Sequence, residues 1–268
     1  MVGLFYFWFF RFCIQNNIVI FISQKPFTYI TILLDMYTPN IKAVIVFLSI
    51  FISSASFAQV QSRKLSESEA KQFCEDKIKN SFTFRRYNID MAYAYSDISG
   101  NYCLLFMKES YRNDSIGGDF CNKIYIANYQ SFGAQDFFTL DSGIQDLIDW
   151  GIGEYDIQYI PHQTYIEDID GDQVMEAIYA YRLISSQKNV GDRLKIVLQK
   201  NKEKYGIRIK CVGSESKRIM HIDAALYKLP VSIVNKVYSI LEQLEETGEC
   251  SLPQNWRESF RKRKSIIW

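Results

Sequence analysis

The sequence predicts an α+β fold, in which a mostly antiparallel β-sheet structure carries a helix near each end of the mature chain. Segments rich in β-branched and aromatic residues recur between residues 91 and 209, separated by Gly, Asn, Asp and Ser. This pattern is typical of strands joined by hairpins. One apolar stripe at helical spacing precedes this region and another follows it.

A secretory signal peptide is predicted at residues 36–58. The apolar run at residues 43–51 has the length of a signal-peptide core, and Ser56 and Ala58 are the small residues expected before a cleavage site. Cleavage after Ala58 would make Gln59 the first residue of the mature chain. The protein would then be periplasmic or secreted, in an oxidising compartment.

Residues 1–35 have two interpretations. If Met36 is the true start, they are upstream sequence translated by mistake or an extra hydrophobic leader. The competing interpretation places two membrane helices in the N-terminal region. Polar residues such as Arg11 and Gln15 interrupt the first apolar stretch, and a span needs about 20 predominantly apolar residues. The signal peptide is therefore the favoured interpretation.

The mature chain is predicted to contain a single domain at residues 59–250 and a basic, aromatic tail at residues 251–268. The leader holds three of the 31 basic residues and one of the 30 acidic residues, so the mature chain has a net charge of −1. This balance predicts no nucleic-acid partner. In the tail, Trp256 and Phe260 alternate with basic residues, a composition that can contact an anionic membrane peripherally. The alternative is a frayed terminus.

Two helices are predicted from their ends. Ser66 and Glu69 form a capping box at the start of the first helix. Its apolar face comprises Ala70, Phe73, Cys74 and Ile78. The second helix begins after Leu229, because Pro230 is tolerated in a first turn, and it ends near Gly248. Its apolar face comprises Ile233, Val234, Val237, Ile240, Leu241 and Leu244.

Eight strands are predicted between the helices. They are residues 91–96, 102–107, 123–127, 137–140, 159–166, 177–181, 194–199 and 205–209. Ser99-Gly100 favours a hairpin between the first two, and residues 201–204 favour another between the last two. Residues 142–150 are predicted to form a short helix or an irregular crossing.

The most specific chemical signal is the acidic loop that begins at Asp168. Asp168, Asp170, Asp172 and Glu176 occupy its positions 1, 3, 5 and 9, so alternate side chains can turn toward one centre. At about 4 Å and a dielectric of about 20, each close pair of carboxylates costs about 4 kcal/mol. With the carbonyl of Val174 and a water, these groups supply the roughly six to eight oxygens that Ca²⁺ takes. We therefore predict a Ca²⁺ site at these five residues; the alternative is a solvated acidic turn that binds nothing.

The loop is not an EF-hand, which requires Gly at position 6 and Glu at position 12. This sequence has Gln173 and Tyr179 at those positions. The loop resembles the Asp-x-Asp-x-Asp calcium loop of FG-GAP and integrin-like repeats. It occurs only once, whereas a propeller would need several copies.

A closer resemblance is carried by the loop together with Tyr155-Asp156-Ile157, residues 194–197 and residues 204–208. It is to an uncharacterised bacterial family labelled as surface polysaccharide biosynthesis proteins, and it covers the second half of the mature chain. The sequence departs from the pattern at Gln173, where Gly is usual, and at residues 189–192, which lack the expected Ser-Pro. The resemblance implies an envelope role connected with surface polysaccharide.

Catalytic signals are weaker. His162 and His221 lie in apolar surroundings and are interpreted as structural. The sequence contains neither a Gly-x-Ser-x-Gly nucleophile motif nor a Gly-rich phosphate loop. The acids that could supply a carboxylate pair for glycosidic cleavage are Asp141, Asp149, Glu154 and Asp156. Their use would depend on the separation of the carboxyl groups, and scattered acids are usually solvated.

Five of the six cysteines belong to the mature chain, because Cys13 lies in the leader. Export favours disulfide pairing, and an odd number leaves at least one cysteine free or paired with another chain. No Cys-x-x-Cys motif or Cys/His cluster is present, which argues against zinc and thioredoxin-type chemistry.

Together these features favour a secreted or periplasmic, non-catalytic envelope protein with one Ca²⁺ loop and a glycan or another envelope component as its ligand. The alternatives are an envelope enzyme acting in surface polysaccharide metabolism and a structural envelope protein that binds no metal.

Overall fold

The structure is a computed structural model that describes residues 60–78, 87–112, 118–131, 137–186, 192–211 and 218–268. The predicted signal peptide, its cleavage after Ala58 and the choice of Met1 or Met36 as the start lie outside the described residues. Within the described ranges, no helix is long and apolar enough to cross a membrane.

The first sheet is an antiparallel meander in which each strand pairs with the next along the chain. Its strands are β1 (Gln61–Lys64), β2 (Asn88–Asp97), β3 (Gly100–Arg112), β4 (Asp119–Ser131) and β5 (Thr139–Leu147). The predicted hairpin at Ser99-Gly100 is confirmed, since β2 and β3 pair across Ile98 and Ser99.

The second sheet has the strand order β12-β11-β10-β9-β8-β6, with β7 also paired to β8. Its strands are β6 (Glu154–Tyr159), β7 (Tyr165–Glu167), β8 (Glu176–Ser185), β9 (Asp192–Lys200), β10 (Glu203–Cys211), β11 (Ile219–Ile222) and β12 (Ile266–Ile267). The β9–β10 hairpin turns at Asn201 and Lys202, whose φ angles of 50° and 67° are those of a type I′ turn.

In the part of the chain that the structure describes, three α-helices accompany the sheets: α1 (Glu67–Lys77), α2 (Val231–Glu246) and α3 (Trp256–Arg261). Short 3₁₀ turns occupy Trp150–Ile152, Pro161–Gln163 and Ala224–Lys228. Both hydrogen bonds of the Ser66–Glu69 capping box are present at α1, and Gly248 follows α2 with φ 72°. The predicted α+β fold, mostly antiparallel with a helix near each end of the mature chain, is confirmed.

The elements stack in four layers, with apolar side chains between successive layers. The sheets pack face to face through a core in which the Phe106 ring meets the rings of Tyr159 and Tyr179 edge-on, at 5.3 and 5.2 Å. On the outside of the first sheet, α1 buries Ala70 and Cys74. On the outside of the second sheet lie α2 and α3. Residues buried by α2 are Ile233, Val237, Ile240, Leu241 and Leu244, and each such side chain contributes about 1.5–3 kcal/mol.

Two predictions about local structure are wrong. Residues 142–150 do not form a helix or a crossing, because residues 139–147 form β5, the edge strand beside β4. The predicted strand at residues 159–166 is broken by the 3₁₀ turn at Pro161 into β6 and β7. β5 forms because it pairs with β4, whereas the second strand is interrupted locally, because proline has no N–H to donate to a strand ladder.

Residues 251–268, which the sequence sets apart as a tail, belong to the folded body. Trp256 is fully buried and Phe260 nearly so, both in the core beneath α2. Ile266 and Ile267 then form β12 at the edge of the second sheet. The aromatic residues that suggested a membrane contact are therefore mostly core residues.

Cys74, Cys103 and Cys121 are buried free thiols, so the disulfide pairing expected of an exported chain is not present at these three residues; Cys250 is buried as well. The layers separate them: only Cys74 and Cys103 share one apolar cluster, while Cys121 and Cys250 belong to two others.

Candidate functional site

The acidic loop joins β7 to β8, and its own carboxylates hold its shape. Both oxygens of Asp168 accept backbone hydrogen bonds, from the amides of Gly171 at 2.9 Å and Gln173 at 3.0 Å. Asp172 accepts one from the amide of Val174 at 2.9 Å. Gly171 has φ 78° and Gln173 has φ 67°, so both residues adopt the left-handed backbone region. Glycine adopts this region freely, whereas a residue with a side chain, such as Gln173, disfavours it.

Three of the predicted ligands meet. Carboxylate oxygens of Asp168, Asp170 and Glu176 lie within 4.8 Å of one another, a set that could hold a metal ion. The Glu176 side chain is fully buried, and its second oxygen accepts the amide of Ile169 at 2.8 Å. Like charges so close in a buried place require a positive partner.

Lys200, at the end of β9, is a positive partner that the sequence analysis missed. Its ammonium lies 2.9 Å from Asp170, 2.8 Å from Asp172 and in direct contact with Glu176. Only 8% of the Lys200 side chain is exposed. The β8–β9 register brings it there, because Ala177 lies opposite Gln199, which sets Glu176 beside Lys200 at the ends of the two strands.

The electrostatics of the cluster follow from burial and from Lys200. Burial raises the pKa of Glu176, and the Lys200 ammonium only partly offsets this. Burial would also raise the pKa of Asp172, but hydrogen bonds from Lys200 and Val174 leave it below its ordinary value. Burial alone would lower the pKa of Lys200, whereas its bonds to Asp172, Glu176 and Asp170 raise it. Lys200 is therefore charged in the folded protein at neutral pH.

The remaining predicted ligands are placed less centrally. Asp172 is more exposed than Asp170 and lies outside the converging set, although it reaches Lys200. At Val174, the amide donates to Asp172, and a role for its carbonyl stays a prediction. Oxygen donors of this kind fit a hard divalent cation. The ammonium of Lys200 contacts the same oxygen cluster, so such an ion would have to displace it.

The loop is also fixed to the opposite sheet. The amide of Met175 donates to the buried carboxylate of Asp97 at 3.2 Å, and the amide of Ile98 donates to the carbonyl of Gln173 at 3.2 Å. Both partners lie at the β2–β3 turn. These two hydrogen bonds therefore attach the loop to the junction of the two sheets.

The four acids considered for glycosidic cleavage have structural partners. Glu154 is fully buried and pairs with Arg193, with one contact of 2.7 Å. Asp156 accepts the amide of Cys121 at 2.8 Å. The ends of the other two side chains are also occupied: Asp141 by Lys202, and Asp149 by the amide of Gly151.

An aromatic cluster lies where β3 ends and where β4 and β6 begin. The ring of Trp150, which is 58% exposed, meets Tyr111 edge-on at 5.3 Å. Phe120 lies 6.2 Å from Tyr111 and 5.3 Å from Tyr155. The Tyr111 hydroxyl donates to the carbonyl of Tyr155 at 2.7 Å, so the rings are held in place. Tryptophan faces exposed in this way are suited to stacking on flat ligands.

The two histidines have different surroundings. His162 stands half-exposed on a 3₁₀ turn, with its Nε2 atom 2.7 Å from Glu249. His162 and Glu249 line a shallow cavity of about 170 Å³ together with Arg182 and Tyr159. His221 is exposed on β11, so its predicted apolar surroundings are not found.

Comparison of the chain with protein-family models, curated proteins and solved structures found no match. The resemblances to the FG-GAP loop and to the surface polysaccharide family therefore stay predictions.

Proposed function

We propose that this chain is an exported, non-catalytic protein of the cell envelope, in which a Ca²⁺-binding loop stabilises the junction of two β-sheets. The observation that carries the proposal is the convergence of Asp168, Asp170 and Glu176 in a loop that is hydrogen-bonded to the opposite sheet at Asp97. An ion held there would neutralise the carboxylates and make the loop rigid. The sheets would then keep a fixed relation while the outer surface binds its ligand.

The ligand class that we propose is a glycan, bound at the aromatic cluster around Trp150. Its exposed ring, supported by Tyr111, is the kind of surface on which a sugar ring can stack. Binding to surface polysaccharide can be measured by affinity electrophoresis with wild-type protein and a Trp150→Ala variant. Equal retardation of both proteins would contradict this assignment.

A second candidate is a structural envelope protein that binds no metal, and Lys200 specifically favours it. Its ammonium already contacts three carboxylates, and a buried ammonium can neutralise an acidic loop without an ion. In this alternative the loop is a permanent internal salt-bridge network.

A calcium titration with a melting readout distinguishes the two candidates. An ion that binds only the folded protein stabilises it by about 2.7 kcal/mol at 100 times its Kd, or roughly 5–10 °C for a domain of this size. Asp168→Asn should abolish this rise without disturbing Lys200, because Asp168 is the one converging acid that forms no ion pair with it.

The matched control is Asp76→Asn, an exposed acid in the last turn of α1, which should respond to Ca²⁺ like wild type. If wild-type protein melts at the same temperature in Ca²⁺ and in a chelator, the metal proposal is refuted. The second candidate, in which the Lys200 ammonium neutralises the loop, then stands.

A further inference from the structure

The two faces of the second sheet differ in cover and charge. One face is covered by α2 and α3. On the other face, the residues that fill the core between the sheets come from β6, β7, β8 and the Val197 position of β9, together with Met175 beside β8. None of the described core residues between the sheets comes from β10, β11 or β12. This part of the sheet therefore contributes no side chain to that core, although the Lys204 ammonium donates to the carbonyl of Gly143 on β5.

Buried and exposed side chains alternate along β10, and the exposed ones belong to the sheet face that α2 and α3 do not cover. Tyr205, Ile207 and Ile209 are buried against the helices. The exposed positions between and beside them are Lys204, Arg208 and Lys210. Because side chains of a strand alternate between faces, these three cations stand on the open face, with Arg208 about 7 Å from Lys210 and about 13 Å from Lys204 along the strand.

Neighbouring strands extend this cationic face, which we define as Lys204, Arg208, Lys210 and His221. Arg208 lies opposite His221, and His221 lies opposite Ile266 of β12. Ile266 is 47% exposed, and Trp268, two residues further on, is 71% exposed. The face therefore combines cations with an apolar edge.

The cations of this face lie beside other cations. Arg208 lies opposite Lys195, and Lys210 lies opposite Arg193, and like charges directly opposite one another destabilise a sheet. Lys195 and Arg193 have acidic partners, Asp146 and Glu154. Within the described ranges, no acid pairs with Arg208 or Lys210. An external anionic surface would remove the repulsion that remains.

We propose that the cationic face, with Ile266 and Trp268 at its edge, docks on the surface of an anionic lipid membrane. A membrane surface is broad, as an open sheet face is. Its anionic headgroups attract basic side chains, and its interfacial layer accepts tryptophan. A nucleic acid or an acidic polysaccharide would use the cations but would give Ile266 no apolar layer to enter. The proposal does not depend on whether the acidic loop holds an ion.

The test is co-sedimentation of the protein, in the form recovered from the producing cell, with two kinds of vesicle. One kind is phosphatidylcholine alone, and the other contains added phosphatidylglycerol. Each basic residue near an anionic surface contributes about a fivefold change in partitioning, so Arg208→Gln with Lys210→Gln should weaken binding about 25-fold. Trp268→Ser should weaken it further, and salt should reduce binding of the wild type.

The matched control removes the same charge elsewhere, by Lys64→Gln with Lys71→Gln on β1 and α1. This variant should bind phosphatidylglycerol vesicles like wild type. Circular dichroism checks that each variant is folded; if the Arg208/Lys210 variant unfolds, Lys210→Gln alone carries the test with an expected loss of about fivefold.

Three results would overturn the proposal. One is equal binding to both kinds of vesicle, and another is equal loss in the control and the Arg208/Lys210 variant. The third is binding to a soluble acidic polysaccharide or to DNA with no binding to phosphatidylglycerol vesicles, which would assign the face to a different polyanion. The wild type should also bind vesicles equally in Ca²⁺ and in chelator, so that failure here is separate from failure of the metal loop.

Discussion

Replacing Lys200 with Met tests the electrostatic account of the acidic loop. The substitution keeps much of the aliphatic length and removes the charge that contacts Asp170, Asp172 and Glu176. Because Lys200 and Glu176 are buried, the cost is that of breaking a buried pair, about 3–5 kcal/mol. For a domain of this size it corresponds to a fall in Tm of roughly 6–20 °C in chelator.

Calcium should act in the opposite direction on this variant. Without the internal ammonium, the carboxylates have no competing cation, so Lys200→Met should bind Ca²⁺ more tightly than wild type and recover most of its lost stability. The assay is thermal unfolding followed by circular dichroism in chelator, Ca²⁺ and Mg²⁺, with calorimetric titration for the affinity. Lys204→Met, at an exposed cation in the same hairpin whose ammonium donates to the Gly143 carbonyl, is the control and should melt like wild type.

Two results would refute this reasoning. If Lys200→Met melts with wild type in chelator, the ion pairs contribute little and the loop is stable through its backbone hydrogen bonds alone. If the variant is destabilised and Ca²⁺ does not restore it, the carboxylates do not form a metal site, and the lysine is the only cation that they accept.

Three further predictions concern the rest of the fold. Trp256→Ala should lower the free energy of unfolding in urea by about 3–5 kcal/mol, because the ring is fully buried. Trp268→Ala, at an exposed ring, should change it by less than about 0.5 kcal/mol. Equal effects would contradict the placement of α3 in the core. Gln173→Gly should stabilise the protein by about 0.5–1 kcal/mol, since glycine adopts φ 67° without strain, and an unchanged urea midpoint would argue against that backbone conformation. Burial raises the pKa of Tyr227 to about 12, while an unfolded tyrosine titrates near about 10. The folded state therefore holds its proton longer, and this stabilisation is complete below about pH 10 and lost as the pH rises toward 12; a Tyr227→Phe variant should lose less stability over that interval, and parallel curves would contradict the assignment.

The accuracy of the sequence predictions depended on how local the determining interactions are. The cap at Ser66, the hairpin at Ser99-Gly100 and the end of α2 at Gly248 each rest on contacts within a few residues, and all three are confirmed. The edge strand β5 was not recognised, because residues 142–147 contain only one strong β-former, Ile144, and are held in place by pairing with β4. Likewise β12 has only two residues and exists through its pairing with β11.

At the candidate site, local spacing predicted that the acids meet, and three of them do. The cation that faces them could not be found by spacing, because Lys200 lies 24 residues from Glu176 in the sequence. A partial signal existed. β8 begins with Glu176 and β9 ends with Lys200, so the ends of this strand pair that lie away from its turn carry opposite charges. Reading it required the strand register, which the alternation of apolar residues constrains only to within a shift of two.

By itself the sequence determined the ends of α1 and α2, most of the strands and the acidic character of the β7–β8 loop, because these depend on short-range sterics and hydrogen bonds. Only the tertiary structure decided that a buried lysine contacts the carboxylates of this loop, that Trp256 and Phe260 are core residues, and that cations gather on one face of the second sheet. Each of these depends on which strands become neighbours, and that is settled by the free energy of burying whole layers together rather than by any single segment.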